Sequence, residues 1–422
     1  MNEDFLHYVW KYQLFSIHDL KTTTKESLNI LKAGNHNHNS GPDFLNAQIK
    51  IENQLWIGNV EIHLKSSDWY AHHHEIDKNY DAVILHVVLE DDATVFMKNN
   101  IPLPVLVLKD FVFKSALDNY RNLFSTNQRW IPCETEISSV DDFTLENWKE
   151  RLFFERLERK SIEMNQVLVD NQNDYEAVLF KLLAKNFGLK VNGDAFFSLA
   201  TSFDFSMLRK VRFNENQLAA LLFGQAGFLE EVLEDAYSQQ LKTEYNYLEH
   251  KYNLKSISKN QFSFFRMRPP NFPTIRIAQL IALYHLHQNL FSKMMQIETL
   301  KEFYDLFEID VHPFWKTHYT FDKTSKLTPK KLSKSFVDLL LINTIIPLKF
   351  LYQKNKGEVN EVAFLEILQK IKSEKNSIIS KFDEIGVKVK NAYETQALIE
   401  LKNNYCNKKR CLQCAVGVKL LR

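Results

Sequence analysis

Several things this chain lacks narrow what it is. Its 422 residues contain no run of about 18 apolar residues, so no membrane span and no membrane partner are expected. The N-terminal MNEDFLHYVWKYQ is acidic and aromatic where a secretory leader is basic and then apolar, and a cytoplasmic location is expected. No internal repeat recurs at a fixed period, and no low-complexity linker divides the chain. Cysteine is scarce, with four residues in the whole chain, too few for a disulfide scaffold of this length. Net charge is nearly absent at +1, yet its distribution is uneven. Residues 1–110 carry 9 Lys/Arg against 15 Asp/Glu, while residues 315–422 carry 21 against 10. An acidic N-terminal third suits metal cations and a basic C-terminal third suits a polyanion, although a Lys-rich solvated helical surface produces the same excess.

What is present has two characters. The first 115 residues read as helix, strands and a short helix: EDFLHYVWKYQLF has helical spacing, Leu28–Leu31 is a short strand, and residues 43–52 and 55–65 form a hairpin. Ser67 or Asp68 caps a short helix, AVILHVVLE (82–90) is a buried strand, and VFMKNN with PVLVLKD is one further hairpin. Residues 116–140 read as a linker carrying Cys133, and helical periodicity dominates from 141 to 422. The expected class is α+β, an N-terminal α/β domain followed by a large, mainly helical one.

Chemistry gathers on the stretch from Gly41 to Lys65. From Val60 to Lys65 the alternation is strict, placing Glu61, His63 and Lys65 on one face of a strand. Asp43, just after the Gly41-Pro42 bend, approaches Glu61 if the two strands pair. Two converging carboxylates make a hard oxygen site suited to Mg²⁺ or Mn²⁺, with His63 as a base and Lys65 as a cation for phosphate. An amphipathic hairpin with a wet polar face explains the alternation equally well. Histidines crowd the same region: His36, His38, His63, His72, His73, His74 and His86. His72-x-His74 with His86 has the makings of a zinc site if the first two lie on an extended segment, since on a helix they diverge by about 200°. Otherwise His72 and His74 satisfy a helix end, and His86 is a hydrogen-bonded core residue.

Three of the four cysteines, Cys406, Cys411 and Cys414, fall within nine residues, and the fourth is Cys133. Four thiolates complete a zinc site or hold an iron–sulfur cluster; incidental thiols on a terminal helix are the alternative. In RMRPPNFPTIRIAQL, Arg266, Arg268 and Arg276 surround a Pro-rich helix start and can either receive the phosphates of a nucleic acid or cap carboxylates within the protein. RLERK (156–160) reads as a solvated helix face or a contact to the acidic region, and LFGQAGFLEE lacks a P-loop lysine.

The order of elements, with Pro42-Asp43 opening the second strand and Glu61-Ile62-His63 on the third, resembles the PD-(D/E)XK nuclease superfamily over residues 1–95. That resemblance implies a restriction-endonuclease-like domain, Asp43 and Glu61 as metal ligands, Glu3 as an additional acid, and phosphodiester hydrolysis. His63 stands where the family has lysine, so the resemblance also allows a decayed site on a protein that binds nucleic acid or a partner protein. A zinc hydrolase built on the histidines is a third expectation. The divided cysteines are similar to those of iron–sulfur nucleases, with different spacing. GPDF, GNVEIH, SSDWYAHHHEID, ILHVV, IPC, FGQAG, RPPNFPTIRIAQL and CLQCAVG resemble the signature segments of an uncharacterised bacterial domain-of-unknown-function family spanning residues 3–420. Oligomeric state is not set by any of these features.

Overall fold

A computed structural model of the chain describes residues 2–37, 39–98, 100–124, 129–230, 234–321 and 323–422. His38 lies outside the described residues. The chain forms two compact units: Met1–Glu150 with Ser380–Lys388 and Ile399–Arg422, and Arg151–Ile379 with Val389–Leu398. The class is mixed α+β, and the C-terminal tail returns to the first unit instead of ending in the helical one.

In the first unit, helix α1 (Glu3–Lys11) begins where the Asn2 side chain accepts from the Phe5 amide, with Glu3 and Asp4 against the positive end of its dipole. Phe5, Leu6, Val9 and Trp10 bury its apolar face, and His7 lies on its edge. Strands β1 (Leu28–Lys32), β3 (Phe44–Ile51), β4 (Gln54–Lys65), β5 (Val83–Glu90) and β6 (Val105–Val107) form the sheet in the order β1-β3-β4-β5-β6. A two-residue strand, β2 (Asn35–His36), pairs with β3. The β1–β3 and β3–β4 pairs are antiparallel, whereas β4–β5 and β5–β6 are parallel.

The hairpin expected at 43–52 and 55–65 therefore forms as β3 and β4. The second expected hairpin does not. Phe96 and Pro102 make a single antiparallel bridge, and Val105–Val107 instead joins the main sheet beside β5, where Val105 and Leu106 bury their side chains. Parallel pairing of β4 with β5 requires a crossover, supplied by α2 (Asp68–Ala71) and a turn of 3₁₀ helix at Lys78–Tyr80. The strands approach closely at Gly58, where an added Cβ would stand 2.4 Å from Ile84 Cγ2 and 2.6 Å from the Ala82 carbonyl. Helix α3 (Lys114–Phe124) closes this part of the chain.

Helix α4 (Asp142–Asp170) opens the helical region, whose only strands among the described residues are the short pair His318–Thr320 and Lys323–Thr324. The helix Pro273–Leu286 in the second unit is buried from Pro273 to Tyr284. Lys334–Lys356 is long and apolar enough to cross a membrane, but 72% of its most apolar window is buried inside the protein, as befits a core helix. Arg156, in the RLERK segment, is also buried: its guanidinium donates to the Ile342 carbonyl and to Asn343 Oδ1, so that position is not a solvated face.

Candidate metal centre

The β4 face that carries Glu61 and His63 is buried, and so is the opposite face with Val60 and Ile62. A carboxylate and an imidazole hidden in a sheet must find partners. Glu61 Oε2 accepts from the Asp43 amide at 3.1 Å, and Asp43 Oδ2 accepts from the Ile62 amide at 2.9 Å. This reciprocal pair clamps the start of β3 to the middle of β4, so Asp43 and Glu61 are neighbours, as the hairpin geometry implied. Glu61 Oε1 is turned the other way. It lies 3.4 Å from His63 Nε2 and 3.3 Å from His74 Nε2.

His72 and His74 reach the same place from the crossover. Neither an extended segment nor a helix brings them together. His72 ends α2, His73 takes a left-handed conformation at φ +61°, and the chain reverses so that the two flanking rings converge while His73 points to solvent. His72 Nδ1 lies 3.1 Å from His63 Nε2, and the ligand atoms of His63, His72 and His74 all fall within 4.8 Å of one another. The His74 ring stacks on Tyr80 at 3.7 Å between centroids and meets Trp69 edge-on. These aromatic walls hold the imidazole with Nε2 buried and without a hydrogen-bond partner, off line from Glu61 despite the short separation.

His86 on β5 stands opposite Glu61 in the strand register, and its Nε2 lies 2.9 Å from His63 Nδ1. It backs His63 from behind; the other ring nitrogen, Nδ1, is buried without a partner. His7, unremarked in the sequence, approaches from α1, with Nε2 3.2 Å from Asp43 Oδ2 and 3.9 Å from Glu3 Oε1. Its only sequence signal was the i, i+4 spacing from Glu3 along α1. Glu3 thus stands beside the site, through His7.

Burial and charge set the protonation of these groups. Burial pushes the Glu61 carboxyl far above the usual carboxylate range, and the negative charge of Asp43 adds to the shift. Burial, then the neighbouring imidazoles with His86 first, drives His63 down to about 2. Burial, with His74 behind it, takes His86 down to about 3. His74 is lowered for the same reason, burial, partly opposed by Asp43 and Asp77. His7 differs: burial disfavours its cation, but Asp43, followed by Glu3 and Asp4, raises it above the ordinary imidazole value. Neutral imidazoles facing a carboxylate around a common point are ready donors for a cation.

The remaining expected residues lie elsewhere. Lys65 is exposed at the end of β4, where its amide donates to Asp68 Oδ2 and its charge acts on Asp92. Arg266 and Arg268 are exposed in the helical unit. Arg276 is buried: it donates to Gln279 Oε1 at 2.9 Å and to Asn271 Oδ1 at 2.7 Å, and it stacks over Phe336, so its partners are internal amide oxygens and not the carboxylates expected. Cys133, Cys406, Cys411 and Cys414 line one small cavity in the first unit.

No curated protein matches this chain, and no solved structure does. A family model described as "Protein of unknown function (DUF2851)" matches residues 3–377, which include every member of the histidine cluster and Cys133 but end before Cys406. The chain belongs to the DUF2851 family.

Proposed function

We propose that this chain is a metal-dependent hydrolase of phosphodiester bonds, with one transition-metal ion held by Glu61 Oε1, His63 Nε2, His72 Nδ1 and His74 Nε2. One observation carries the reading. The separations His63–Glu61, His74–Glu61 and His72–His63 are 3.4, 3.3 and 3.1 Å. Ligands about 2.0–2.1 Å from a tetrahedral zinc stand about 3.3 Å apart, so each of these three pairs is spaced as two ligands of one ion; the ligand atoms of the three histidines lie within 4.8 Å of one another, and Glu61 joins them through His63 and His74. Three imidazoles and one carboxylate favour zinc, manganese or iron over magnesium, which prefers oxygen and water. His72 is exposed, so solvent and substrate reach the ion from that side.

The bound ion would supply Lewis acidity and lower the pKa of a coordinated water. The chain's own residues do the rest. His86, 2.9 Å from His63 Nδ1, would hold His63 in the tautomer with Nδ1–H turned toward β5, leaving the Nε2 lone pair to ligate. Asp43, beside Glu61, is placed to accept a proton from an attacking water. His7, whose pKa Asp43 raises, would supply against Asp43 the cation that the resembling nucleases obtain from a lysine at the position of His63. The choice of phosphodiesters rests on the order of elements: a helix, three antiparallel strands, a crossover and a parallel strand, with Asp43 opening β3 and Glu61 on β4.

The test measures metal content and the hydrolysis of bis(p-nitrophenyl) phosphate and of single- and double-stranded DNA and RNA with added zinc, manganese or magnesium. Metal-dependent cleavage, lost in Glu61→Gln and His72→Ala proteins with unchanged circular dichroism, is expected. Bound metal without cleavage of any phosphodiester would turn the reading to a binding scaffold. Metal content unaffected by His72→Ala and His74→Ala would remove the centre altogether.

A further inference from the structure

All the cysteines of this chain meet in one place. Cys133, Cys406, Cys411 and Cys414 line a single cavity together with Pro132, Ile137, Leu401 and Val416, and none of them is disulfide-bonded. The geometry points to a second metal centre, a single zinc held by these four thiolates and separate from the histidine cluster.

Three observations support it. First, the chain has only four cysteines in 422 residues, and segments more than 270 residues apart in sequence bring all of them to the same cavity. Incidental thiols have no reason to converge.

Second, the local backbone is shaped for ligation. Cys133 opens a tight turn in which its carbonyl accepts from the Glu136 and Ile137 amides. Cys406 ends a run of π-helix, Leu401–Cys406, a conformation that is rare and often marks functional sites. The chain then reverses through Lys409 at φ +52°, and Cys411 and Cys414 stand at the two ends of a 3₁₀ turn, the Cys414 amide donating to the Cys411 carbonyl. Spacings of four and two residues between successive cysteines are those of zinc-binding knuckles. Gly417 keeps this turn closed, because a Cβ there would stand 2.2 Å from the Cys411 carbonyl oxygen.

Third, the cavity is small, about 10 Å³, which is room for one ion-sized body. Its lining is apolar apart from the thiols, Tyr405 and Arg410. Zinc binding would displace the thiol protons to solvent and draw each sulfur to about 2.3 Å from the ion.

Such a centre staples residues 401–421 to the turn at 133–137. The consequence extends to α1, since the Tyr8 hydroxyl donates to the Val418 carbonyl at 3.1 Å and Arg422 stacks over Tyr12. The tail thereby braces the helix that presents His7.

The experiment uses the full chain purified without chelators. A His72→Ala/His74→Ala protein is expected to keep one zinc per chain, which separates this centre from the first. Titration of that protein with a mercurial should release the zinc in step with modification of four thiols, a readout that needs no cysteine variant to fold. A Cys411→Ser/Cys414→Ser protein should lose the zinc, and its residues 401–422 should become sensitive to limited proteolysis. Zinc retained after all four thiols have reacted, or no zinc in the histidine variant, would overturn the assignment. Iron accompanied by acid-labile sulfide would overturn the single-ion centre in favour of a cluster.

Discussion

His86 Nε2 sits 2.9 Å from His63 Nδ1, on the neighbouring parallel strand and behind the ring that faces Glu61. This contact orients the most deeply placed member of the histidine cluster. Partners of this kind tune metal affinity without touching the metal. Replacing His86 with Phe keeps the volume and removes the contact. We expect metal affinity to fall by about 10–100-fold, with the same stoichiometry at saturation. Calorimetric or competitive titration of the purified protein checks this, and an unchanged affinity would mean that His86 merely fills the core.

Asp43 and His7 are assigned to proton handling and charge, not to metal retention. Asp43→Asn should lower the hydrolytic rate by about 10²–10⁴-fold while metal content stays at the wild-type level. His7→Gln should lower kcat in the same assay without loss of metal. Loss of metal in either protein would move that residue into the coordination sphere.

The metal-free protein should lose stability on both the acid and the alkaline side of neutrality. Glu61 is held protonated by burial and by Asp43, so its folded pKa is raised: its contribution is present at low pH and is lost as pH rises toward the folded value. His63 and His86 are held neutral by burial, so their folded pKa values are lowered to about 2 and about 3: their contribution is complete above about pH 6.5 and is lost as pH falls. Below about pH 6.5 the lost histidine contributions, with that of His74 in the same direction, make stability fall on acidification. On the alkaline side Glu61 contributes a slope of the opposite sign, and His7, also raised, adds to it. Urea unfolding of chelator-treated protein across pH measures both limbs. In Glu61→Gln protein the alkaline limb should flatten, and a limb unchanged by that substitution would count against the assignment.

Adding zinc to the metal-free protein should raise its unfolding free energy by about 4 kcal/mol at a free concentration a thousand times Kd, because the unfolded chain offers no preformed site. The increment should be largest at neutral and alkaline pH, where metal competes with fewer protons. Thermal unfolding with and without zinc measures it in the Cys411→Ser/Cys414→Ser background, where only the histidine centre contributes.

Gly58→Ala tests the strand pairing that brings Glu61 opposite His86. Its new methyl would meet Ile84 Cγ2 at 2.4 Å and the Ala82 carbonyl at 2.6 Å, and backbone cannot yield as a side chain can. Overpacking of this kind costs about 1–3 kcal/mol, and metal affinity should fall with stability because β5 carries His86. Denaturant unfolding and metal titration of one protein sample read both effects.

Local features of this chain were readable from its residues. The alternation through Val60–Lys65 places Glu61 and His63 on one face, and the Gly41-Pro42 bend sets Asp43 beside Glu61, because a strand's side-chain period and a turn's geometry are properties of neighbouring residues. The helical character after residue 141 is equally local. The remainder depended on contacts between distant segments. His72 and His74 converge only because His73 adopts a left-handed turn that α2, Trp69 and Tyr80 hold in place, and no periodicity predicts such a reversal. His7 carried too weak a signal on α1 to be noticed until packing set that helix against β3 and β4. Val105–Val107 had the pattern of a hairpin strand, and burial beside β5 drew it into the parallel sheet instead. Arg276 could have faced phosphate or protein from sequence alone; the side-chain amides of Asn271 and Gln279 and the ring of Phe336 decided the matter. The cysteine spacing was plain in the sequence, but only the return of the tail to the first unit joined Cys133 to the other three, since that meeting depends on a chain path hundreds of residues long.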